Sequence, residues 1–268
     1  MHDSITVHQE IILTPYLARP HDHQLRELLI RAKKSDRPAF LLVVGTSCTG
    51  KTRTLYEAVT AVLPDWQLTA PRHDNVLVRL LMDGIPSRTI VWLDELQDLL
   101  PGTPEGIRAA KAIVEMLNAT VGPILFASTI WPTNHAAMQA RPEPDKAATG
   151  VGAIPHLLTR VSIIEVPGIF TDADLPDEPE LDDPRLRKAR DAAARTEHGR
   201  KITQVLAGGT QLVDRLYPPK DSQATDRFSP SASAVLRAAA DLRRVGLPNP
   251  IPRWAIEGAA AGYLDPPD

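Results

Sequence analysis

The sequence predicts an α/β fold, with an open and mostly parallel sheet covered by helices on both faces, followed by a small all-helical domain. Apolar, β-branched runs alternate with segments of helical periodicity as far as residue 166, and this alternation is typical of parallel sheets with crossover helices. Beyond Pro167 only helical patterns occur. With 268 residues and 43% hydrophobic side chains, the chain suits one large domain or two smaller ones.

Five apolar runs are predicted to be the strands of the sheet. Helices are predicted between them wherever apolar side chains recur every three or four residues, with Asp22 as the N-cap of the first and Pro64 ending the second. The predicted strands are residues 39–44, 66–70, 88–95, 123–131 and 161–166, and the helices of this part are residues 22–35, 51–62, 74–83, 107–117 and 154–160.

Composition divides the chain into four parts. An N-terminal lead-in (residues 1–20) precedes the core (residues 21–170), in which the Pro-, Gly- and Ala-rich segment 139–152 predicts a loop. Residues 171–183 are acidic and Pro-rich and predict a linker, and residues 184–268 are predicted to form the helical domain. The helices expected there are residues 184–207, 210–217, 230–244 and 252–262.

A glycine-rich loop is the most informative motif. Residues 45–52 read Gly-Thr-Ser-Cys-Thr-Gly-Lys-Thr, the pattern G-x-x-x-x-G-K-T, between a predicted strand and a predicted helix. Backbone N–H groups of such a loop surround phosphate oxygens, and the helix N-terminus adds positive potential. We expect Lys51 to reach the β- and γ-phosphates and the Thr52 hydroxyl to bind Mg²⁺. The motif therefore predicts a nucleoside triphosphate site.

A pair of acids follows the third predicted strand. Ile-Val-Trp-Leu-Asp-Glu (residues 90–95) matches the apolar-strand-plus-acid signature called Walker B. We expect Asp94 to hold Mg²⁺ through water, opposite Thr52, and Glu95 to polarise the water that attacks the γ-phosphate. By itself this pattern is more typical of a strand that runs into a surface turn, but its occurrence after the phosphate loop favours catalysis.

The fourth predicted strand ends in two hydroxyls and a tryptophan. Ser128 or Thr129 is expected to lie between the phosphate loop and the Asp94 strand, where related ATPases place a γ-phosphate sensor. The alternative is that both hydroxyls make ordinary hydrogen bonds at a strand end. Trp131 precedes Pro132 where the chain turns, and we expect it to pack rather than to take part in chemistry.

Two arginines and the only cysteine complete the candidates. Arg160 directly precedes the last strand, where its guanidinium either reaches a nucleotide across a subunit interface or serves as a cation favoured by a helix C-terminus. Arg19 either lines the nucleotide base or ribose or is a surface cation. Cys48 lies in the phosphate loop, as a small filler residue or as an oxidisable thiol.

These motifs give three sets of predicted site residues. Nucleotide binding is predicted for Gly45, Thr46, Ser47, Cys48, Thr49, Gly50, Lys51, Thr52, Arg53 and Arg19. Catalytic roles are predicted for Lys51, Glu95, Thr129 and Arg160, and magnesium binding for Thr52 and Asp94.

Charge and cysteine content narrow the function classes. The net charge of −3 gives no sign of a nucleic-acid surface. No apolar run approaches the roughly 20 residues that cross a membrane. Because Cys48 is the only cysteine, no intrachain disulfide can form. We therefore expect a cytoplasmic protein that does not contact a membrane.

Taken together, the motifs resemble those of the AAA+ and STAND class of P-loop ATPases, and the STAND branch is the more similar. The resemblance extends over about residues 16–264. It implies an ASCE-type sheet of three layers, in which a further strand separates the phosphate-loop strand from the acid-bearing strand, and it implies ATP or ADP and Mg²⁺ as cofactors. The segments most similar to bacterial STAND modules are residues 50–59, 91–97, 129–132 and 259–264.

The chain also departs from the family pattern. Residues 206–212 resemble the family's Gly-x-Pro turn, but Thr210 stands where the turn has proline. Gln211 stands where many AAA+ proteins carry an arginine that senses the γ-phosphate. The helical domain is therefore expected to respond more weakly to that phosphate.

The resemblance implies a molecular switch that binds ATP, hydrolyses it slowly, and closes its helical domain to associate with itself or with a protein partner. Three alternatives remain open. One is a helper or loader ATPase that acts on nucleic acid, another is a small-molecule kinase, which Glu95 argues against, and the third is a sensor that holds ADP without turnover. The only basic clusters that a nucleic acid would find are Arg185, Arg187, Lys188 and Arg190, and Arg243 with Arg244.

Overall fold

Five parallel strands form a single sheet at the centre of the N-terminal part of the chain. The computed structural model describes residues 14–140, 152–171, 174, 183–194, 201–207, 216, 228–247 and 250–264. The strands are β1 (Ala39–Val44), β2 (Gln67–Thr69), β3 (Thr89–Leu93), β4 (Ile124–Ile130) and β5 (Ser162–Glu165). Their spatial order is β2-β3-β4-β1-β5. Because β4 lies between β1 and β3, the sheet has the inserted strand of the ASCE type, and the predicted α/β P-loop fold is confirmed.

Helices lie between the strands and after them. Their bounds are α1 (Pro20–Lys34), α2 (Lys51–Val62), α3 (Asp74–Asp83), α4 (Leu96–Leu99), α5 (Pro104–Asn118), α6 (Pro132–Gln139), α7 (Ala153–Leu158), α8 (Pro184–Ala194), α9 (Ile202–Leu206), α10 (Pro230–Arg244) and α11 (Arg253–Ala260). A 3₁₀ turn, Ala261–Tyr263, follows α11.

The sheet is the middle of three layers because side chains of each strand alternate between its two faces. In β1, Phe40, Leu42 and Val44 join one buried core, and Leu41 and Val43 join the other. Helices α3, α5 and α7 contribute to the first core, and α1 and α2 contribute to the second. Strands buried on both faces explain why the sequence shows continuous apolar runs rather than alternation.

Two short helices were not predicted. Helix α4 is a single turn that follows Glu95, too short to show periodicity. Helix α6 begins at Pro132, since the fixed φ of proline and its missing N–H suit the first helical position. Residues 184–207, predicted as one helix, contain α8 and α9, and residues 195–200 between them lie outside the described part of the chain. Most of the predicted helix 210–217 and of the loop 139–152 also lies outside it.

Contacts divide the chain into two units, Met1–Leu206 and Ala207–Asp268. In the first unit, α8 and α9 pack on the segment after β5 through a buried cluster of Phe170, Ala189 and Ile202. The structure therefore divides the chain later than the predicted linker at residues 171–183, and α8 and α9 belong with the sheet. In the second unit, α10 and α11 pack through Ala234, Ala238 and Ala260.

Candidate functional site

The phosphate loop leaves the carboxyl end of β1 and closes into the first turn of α2. Cys48 and Gly50 both have left-handed backbone conformations, with φ of 56° and 94°. Such an alternation of backbone direction is typical of loops whose successive N–H groups turn toward one side and form a concave anion site. Gly45 is required by close packing, because a Cβ there would lie 2.7 Å from Thr49 Oγ1 and 3.0 Å from the Val166 carbonyl oxygen.

Thr49 and Lys51 close the loop from inside. The buried Thr49 hydroxyl donates a hydrogen bond to the Thr46 carbonyl at 3.1 Å, and Lys51 Nζ donates to the same oxygen at 3.1 Å. Burial lowers the pKa of the Lys51 ammonium, while the charges of Glu95 and Asp94 act in the opposite direction. The lysine is therefore held across the loop within the field of the two acids that follow β3.

The predicted magnesium ligands meet at the mouth of the loop. Thr52 Oγ1 donates a hydrogen bond to Asp94 Oδ1 at 3.2 Å, although the two residues come from different elements. Thr129, at the carboxyl end of β4, donates to the same carboxylate oxygen at 2.6 Å. The structure thus brings Thr52, Asp94 and Thr129 together around one oxygen atom.

The two strand-end hydroxyls differ in what they contact. Thr129 Oγ1 also accepts a hydrogen bond from the backbone N–H of Glu95 at 3.0 Å, so this single hydroxyl links both acids. Ser128 Oγ donates to the Leu93 carbonyl at 2.8 Å, which is an ordinary bond between neighbouring strands. Of the two residues left open by the sequence, Thr129 is the one that the structure brings to the acids.

Glu95 has a strained backbone and a restrained side chain. Its φ of 53° lies in the left-handed region, which is uncommon for residues other than glycine and is found at functional sites. Carboxylate oxygen Oε1 accepts a hydrogen bond from the indole N–H of Trp131 at 3.0 Å, and Oε2 accepts one from the Gln97 amide at 2.9 Å. Both donors come from turns next to the site.

These contacts correct one prediction and add a residue. Trp131 was expected to pack only, but its indole N–H holds Glu95 and its ring centroid lies 5.8 Å from Lys51 Nζ. Gln97 was not a candidate from the sequence. Its position two residues after Glu95 is a signal, since a turn that begins at Glu95 returns the side chain of Gln97 toward the carboxylate.

Arg19 ties the phosphate loop to the rest of the unit. Its guanidinium donates to the Pro167 carbonyl at 2.7 Å and to the Thr49 carbonyl at 3.2 Å, and it lies 4.4 Å from the ring centroid of Phe170. Only 6% of its surface is exposed. The predicted alternative of a surface cation is therefore wrong, and Arg19 fixes the backbone of the loop from behind.

A hydrogen-bond network holds the lead-in beside Arg19. Asp22 accepts from the Arg19 backbone N–H at 2.6 Å and from the Tyr16 hydroxyl at 2.5 Å. Tyr16 Oη also lies 2.9 Å from Thr54 Oγ1 on α2. Burial, followed by the hydrogen bond to Asp22, raises the pKa of Tyr16 above its ordinary value, so the phenol stays protonated and remains a donor.

A mainly apolar cavity opens beside Gly50, within the first unit. The lead-in, the phosphate loop, α2 and the helices α8 and α9 all contribute to its wall. Its lining includes Tyr16, Arg19, Thr54, Phe170, Ile202 and Leu206. The cavity adjoins the predicted phosphate loop, since Thr49 and Gly50 of that loop are among its lining residues.

Three other predicted residues have different surroundings. Arg53 lines the same cavity, but its guanidinium binds Glu57 at 2.7 Å and the Thr14 carbonyl at 3.1 Å. Cys48 is exposed within the loop. Ser47 is also exposed, and its carbonyl accepts a hydrogen bond from the Gln204 amide of α9 at 3.4 Å.

Arg160 lies at the amino-terminal edge of the sheet, opposite the phosphate loop. It precedes β5, and its guanidinium donates to the Asn118 side chain at 2.5 Å. The segment after β5 is aligned with the phosphate loop, since the Val166 N–H bonds to the Val44 carbonyl. At about 3.3 Å per strand residue, Arg160 is about 20 Å from the phosphate loop of its own chain. A role for Arg160 at a nucleotide therefore requires a second chain.

The described residues of the site offer few side chains that could bind a metal ion. Within the residues that the structure describes, no group of three or more His, Cys, Asp or Glu side chains is arranged to hold a metal ion. The hydroxyl of Thr52 and the carboxylate of Asp94 are hard oxygen ligands, which suit Mg²⁺ when nucleotide oxygens and water complete the coordination.

No helix in the described part of the chain is long and apolar enough to span a membrane.

Comparisons with known proteins give structural likeness alone. No protein-family model and no curated protein matches the sequence. Domain III of the replication initiation protein DnaA from Thermotoga maritima is similar at 14% identity and a TM-score of 0.38, with 94% of this chain and 95% of that chain covered. A mutant of RuvB from T. maritima is similar at 13% identity and a TM-score of 0.46, with 93% and 83% covered. Drosophila ORC bound to DNA is similar at 13% identity and a TM-score of 0.46, with 96% and 78% covered. At these scores the likeness carries nothing about function.

Proposed function

We propose that this chain is an ATP-binding, slowly hydrolysing molecular switch of the STAND type, with an AAA+-like core. One observation carries the proposal. Thr52 of the phosphate loop, Asp94 after β3 and Thr129 at the end of β4 meet around a single carboxylate oxygen, beside Lys51 and Glu95. These groups are distant in the sequence, and together they provide a phosphate cradle, a magnesium position and a carboxylate for water activation.

Each residue has a definite role in this proposal. The backbone of residues 45–50 and the Lys51 ammonium bind the phosphates. Thr52 and Asp94 hold Mg²⁺, which neutralises phosphate charge when it is bound. Glu95 orients and polarises the attacking water, and Thr129 fixes both acids relative to each other.

The apolar cavity beside Gly50 supports a site for the nucleotide base. Tyr16 and Phe170 line it with aromatic rings, and an aromatic base gains most from such contacts. Ile202 and Leu206 of α9 complete the wall. A bound nucleotide would therefore touch the lead-in, the phosphate loop and α9 at once, which is the physical basis we propose for a response of the helices to nucleotide. ATP rather than GTP is the expectation from the family resemblance.

Self-association is the part of the switch that Arg160 supports. Its guanidinium is too far from the phosphate loop of its own chain, and it lies on an exposed edge where a second chain can approach. We propose that it offsets phosphate charge on a neighbouring copy during hydrolysis. Its bond to Asn118 would have to break on association, which is a modest requirement for an exposed pair.

The nucleic-acid alternative has less support. Three of the six basic residues in the clusters that the sequence offers pair with neighbouring acids. Arg185 pairs with Asp183, Arg190 with Asp191, and Arg244 with Asp241. With a net charge of −3, the chain as a whole does not favour a phosphate backbone, on which such binding depends.

The test is nucleotide binding and phosphate release measured on the full chain and two variants. Lys51→Ala should weaken ATP binding by about a hundredfold or more, because a charge-assisted phosphate contact is lost. Glu95→Gln should bind ATP with nearly unchanged affinity, and its rate of phosphate release should fall by about a hundredfold or more. ATP affinity equal to wild type in Lys51→Ala would show that the site is elsewhere.

The switch is tested by molecular mass in solution. We expect a larger species with a non-hydrolysable ATP analogue and Mg²⁺ than with ADP, and Arg160→Ala should retain ATP binding but lose turnover in that larger species. Identical masses in both nucleotide states would contradict the switch while leaving the ATPase proposal standing. Competition by GTP against bound ATP measures the base preference.

A further inference from the structure

Two side chains outside the predicted catalytic set hold the proposed catalytic carboxylate from both sides. Trp131 Nε1 donates to Glu95 Oε1 at 3.0 Å, and Gln97 Nε2 donates to Glu95 Oε2 at 2.9 Å. We propose that Trp131 and Gln97 are positioning residues that orient Glu95 for water activation. This inference rests on the proposed ATPase function and deepens it.

The two bonds fix the carboxylate as a whole. A side chain held at only one oxygen can still rotate about its terminal torsion, whereas two donors on the two oxygens define the carboxylate plane. Each oxygen keeps a further lone pair, so the group can still accept a hydrogen bond from water. The donors thus restrict orientation without using up the capacity to act as a base.

The backbone of Glu95 makes this restraint necessary. Its φ is 53°, and its N–H donates a hydrogen bond to Thr129 Oγ1. That bond fixes the position of the Glu95 backbone, but it does not fix the orientation of the carboxylate at the end of the side chain. Trp131 follows β4 and Gln97 lies in α4, so the carboxylate is fixed by elements on both sides of the strand end.

The ring of Trp131 has a second contact that separates binding from catalysis. Its centroid lies 5.8 Å from Lys51 Nζ, within the range in which an aromatic face attracts a cation. Trp131→Phe keeps an aromatic face beside the lysine, although a smaller one, and removes the N–H donor. If the role of Trp131 is to position Glu95, this variant should lose turnover and keep ATP affinity.

The first experiment measures steady-state ATP hydrolysis and equilibrium ATP binding on the full chain. For Trp131→Phe we expect kcat to fall about tenfold or more, with the Kd for ATP within about twofold of wild type. Gln97→Leu should give a smaller loss, about three- to tenfold, because the indole donor remains. Trp66→Phe is the matched control, since Trp66 packs against the core away from the site, and its kcat should stay within about twofold of wild type.

A double-mutant cycle separates positioning from general damage. If Trp131 acts through Glu95, then Trp131→Phe should cause no further loss in a Glu95→Gln background, measured by single-turnover hydrolysis. A loss of the same factor in both backgrounds would overturn the proposal. So would a Trp131→Phe protein whose kcat equals that of wild type.

A spectroscopic readout tests the contact itself without nucleotide. The chain has four tryptophans, and the indole N–H resonance of Trp131 is the one absent from the ¹⁵N spectrum of Trp131→Phe. We expect Glu95→Gln to shift this resonance and Glu57→Gln, an acid on α2 paired with Arg53, to leave it unchanged. An unmoved resonance in Glu95→Gln would overturn the inference even if the protein hydrolyses ATP. A wild-type chain that binds ATP without turnover would instead contradict the catalytic part of the proposed function, and with it this role.

Discussion

The two flanks of the phosphate loop are held together by different chemistry. The acid flank, formed by Thr52, Asp94, Glu95 and Thr129, consists of side chains bonded to one another, and its carboxylates are partly or largely exposed. The lead-in flank, formed by Tyr16, Arg19, Asp22 and Thr54, is more deeply buried. On that flank Arg19 and Asp22 are only 6% and 3% exposed, and the Arg19 guanidinium is bonded to backbone carbonyls.

This difference separates catalysis from stability. The buried Thr129 hydroxyl fixes the acid flank from within, but the Thr52 hydroxyl and the two carboxylates are accessible and can exchange protein partners for a metal ion, a water or a phosphate at little cost. A buried guanidinium bonded to carbonyl oxygens cannot, because each broken bond leaves an unsatisfied buried group. Changes on the acid flank should therefore alter turnover, and changes on the lead-in flank should alter folding stability and only then nucleotide affinity.

Apart from changes to Lys51 and Glu95 themselves, the largest effect is expected at Thr129, on the acid flank. Thr129→Val keeps the shape of the side chain but removes the hydroxyl that bonds both Asp94 and Glu95. The strained backbone of Glu95 then loses its acceptor, and the two acids are no longer fixed relative to each other. We expect kcat to fall about 10- to 100-fold with a smaller change in ATP affinity, measured by phosphate release and equilibrium binding.

Ser128→Ala is the matched control for Thr129→Val. Ser128 is the preceding residue, is equally buried, and its hydroxyl donates a hydrogen bond to the Leu93 carbonyl. Its loss should lower the free energy of unfolding by about 1 kcal/mol and leave turnover nearly unchanged. A larger loss of turnover in Ser128→Ala than in Thr129→Val would reverse the assignment of the two hydroxyls.

The second effect is expected at Arg19, on the lead-in flank. Arg19→Met leaves the Thr49 and Pro167 carbonyls without their donor and removes the cation above Phe170. We expect the free energy of unfolding to fall by about 2 to 3 kcal/mol and the melting temperature to fall by several degrees. ATP affinity should fall with it, because Thr49 belongs to the phosphate loop, while kcat at saturating ATP should change little.

Arg31→Met provides the comparison for Arg19. Arg31 lies on α1, the helix that Arg19 precedes; it is exposed and pairs with Glu27 at 3.6 Å. Such pairs contribute less than about 1 kcal/mol, so the melting temperature should hardly change. Equal stability losses in the two variants would mean that the lead-in flank is not the structural clamp described above.

The two flanks also differ in how far the sequence could predict them. The acid flank depends on residue types whose chemistry is specific, so motifs alone made Thr52, Asp94 and Glu95 candidate site residues, and the structure brings them together. The lead-in flank depends on burial, which one sequence does not show. Arg19 was therefore left open between a nucleotide contact and a surface cation. The same limit applies to Trp131, whose ring signals packing and whose N–H gains a role only when Glu95 adopts a left-handed backbone.

Domain organisation shows a second limit. The acidic, Pro-rich segment 171–183 predicted the boundary, because such composition is typical of linkers. The structure instead keeps α8 and α9 with the sheet, through the cluster of Phe170, Ala189 and Ile202. A linker composition indicates a solvated connection, but it does not say on which unit the next helix packs.

The smallest effect is expected at His21, a buried neighbour of the lead-in flank. His21 is 7% exposed, and its Nε2 atom has no hydrogen-bond partner among the residues that the structure describes. The charged groups that act on it are Asp22, Arg19 and Asp174. Burial lowers the pKa of His21 below its ordinary value of 6.5, since the surroundings disfavour the charged imidazolium.

The sign of the pH dependence follows from this direction. Below about pH 6.5 the unfolded chain binds a proton at His21 that the folded chain does not, so stability falls as the pH decreases until the folded pKa is passed. One such proton contributes at most about 1.4 kcal/mol per pH unit. Melting temperatures between pH 5 and pH 7.5 should therefore decrease less steeply toward acid for His21→Leu than for wild type. His23→Leu, an exposed histidine on the same helix, should retain the wild-type slope. If wild type and His21→Leu lose stability in parallel, protonation at His21 is not linked to folding, and the acid sensitivity must come from the carboxylates instead.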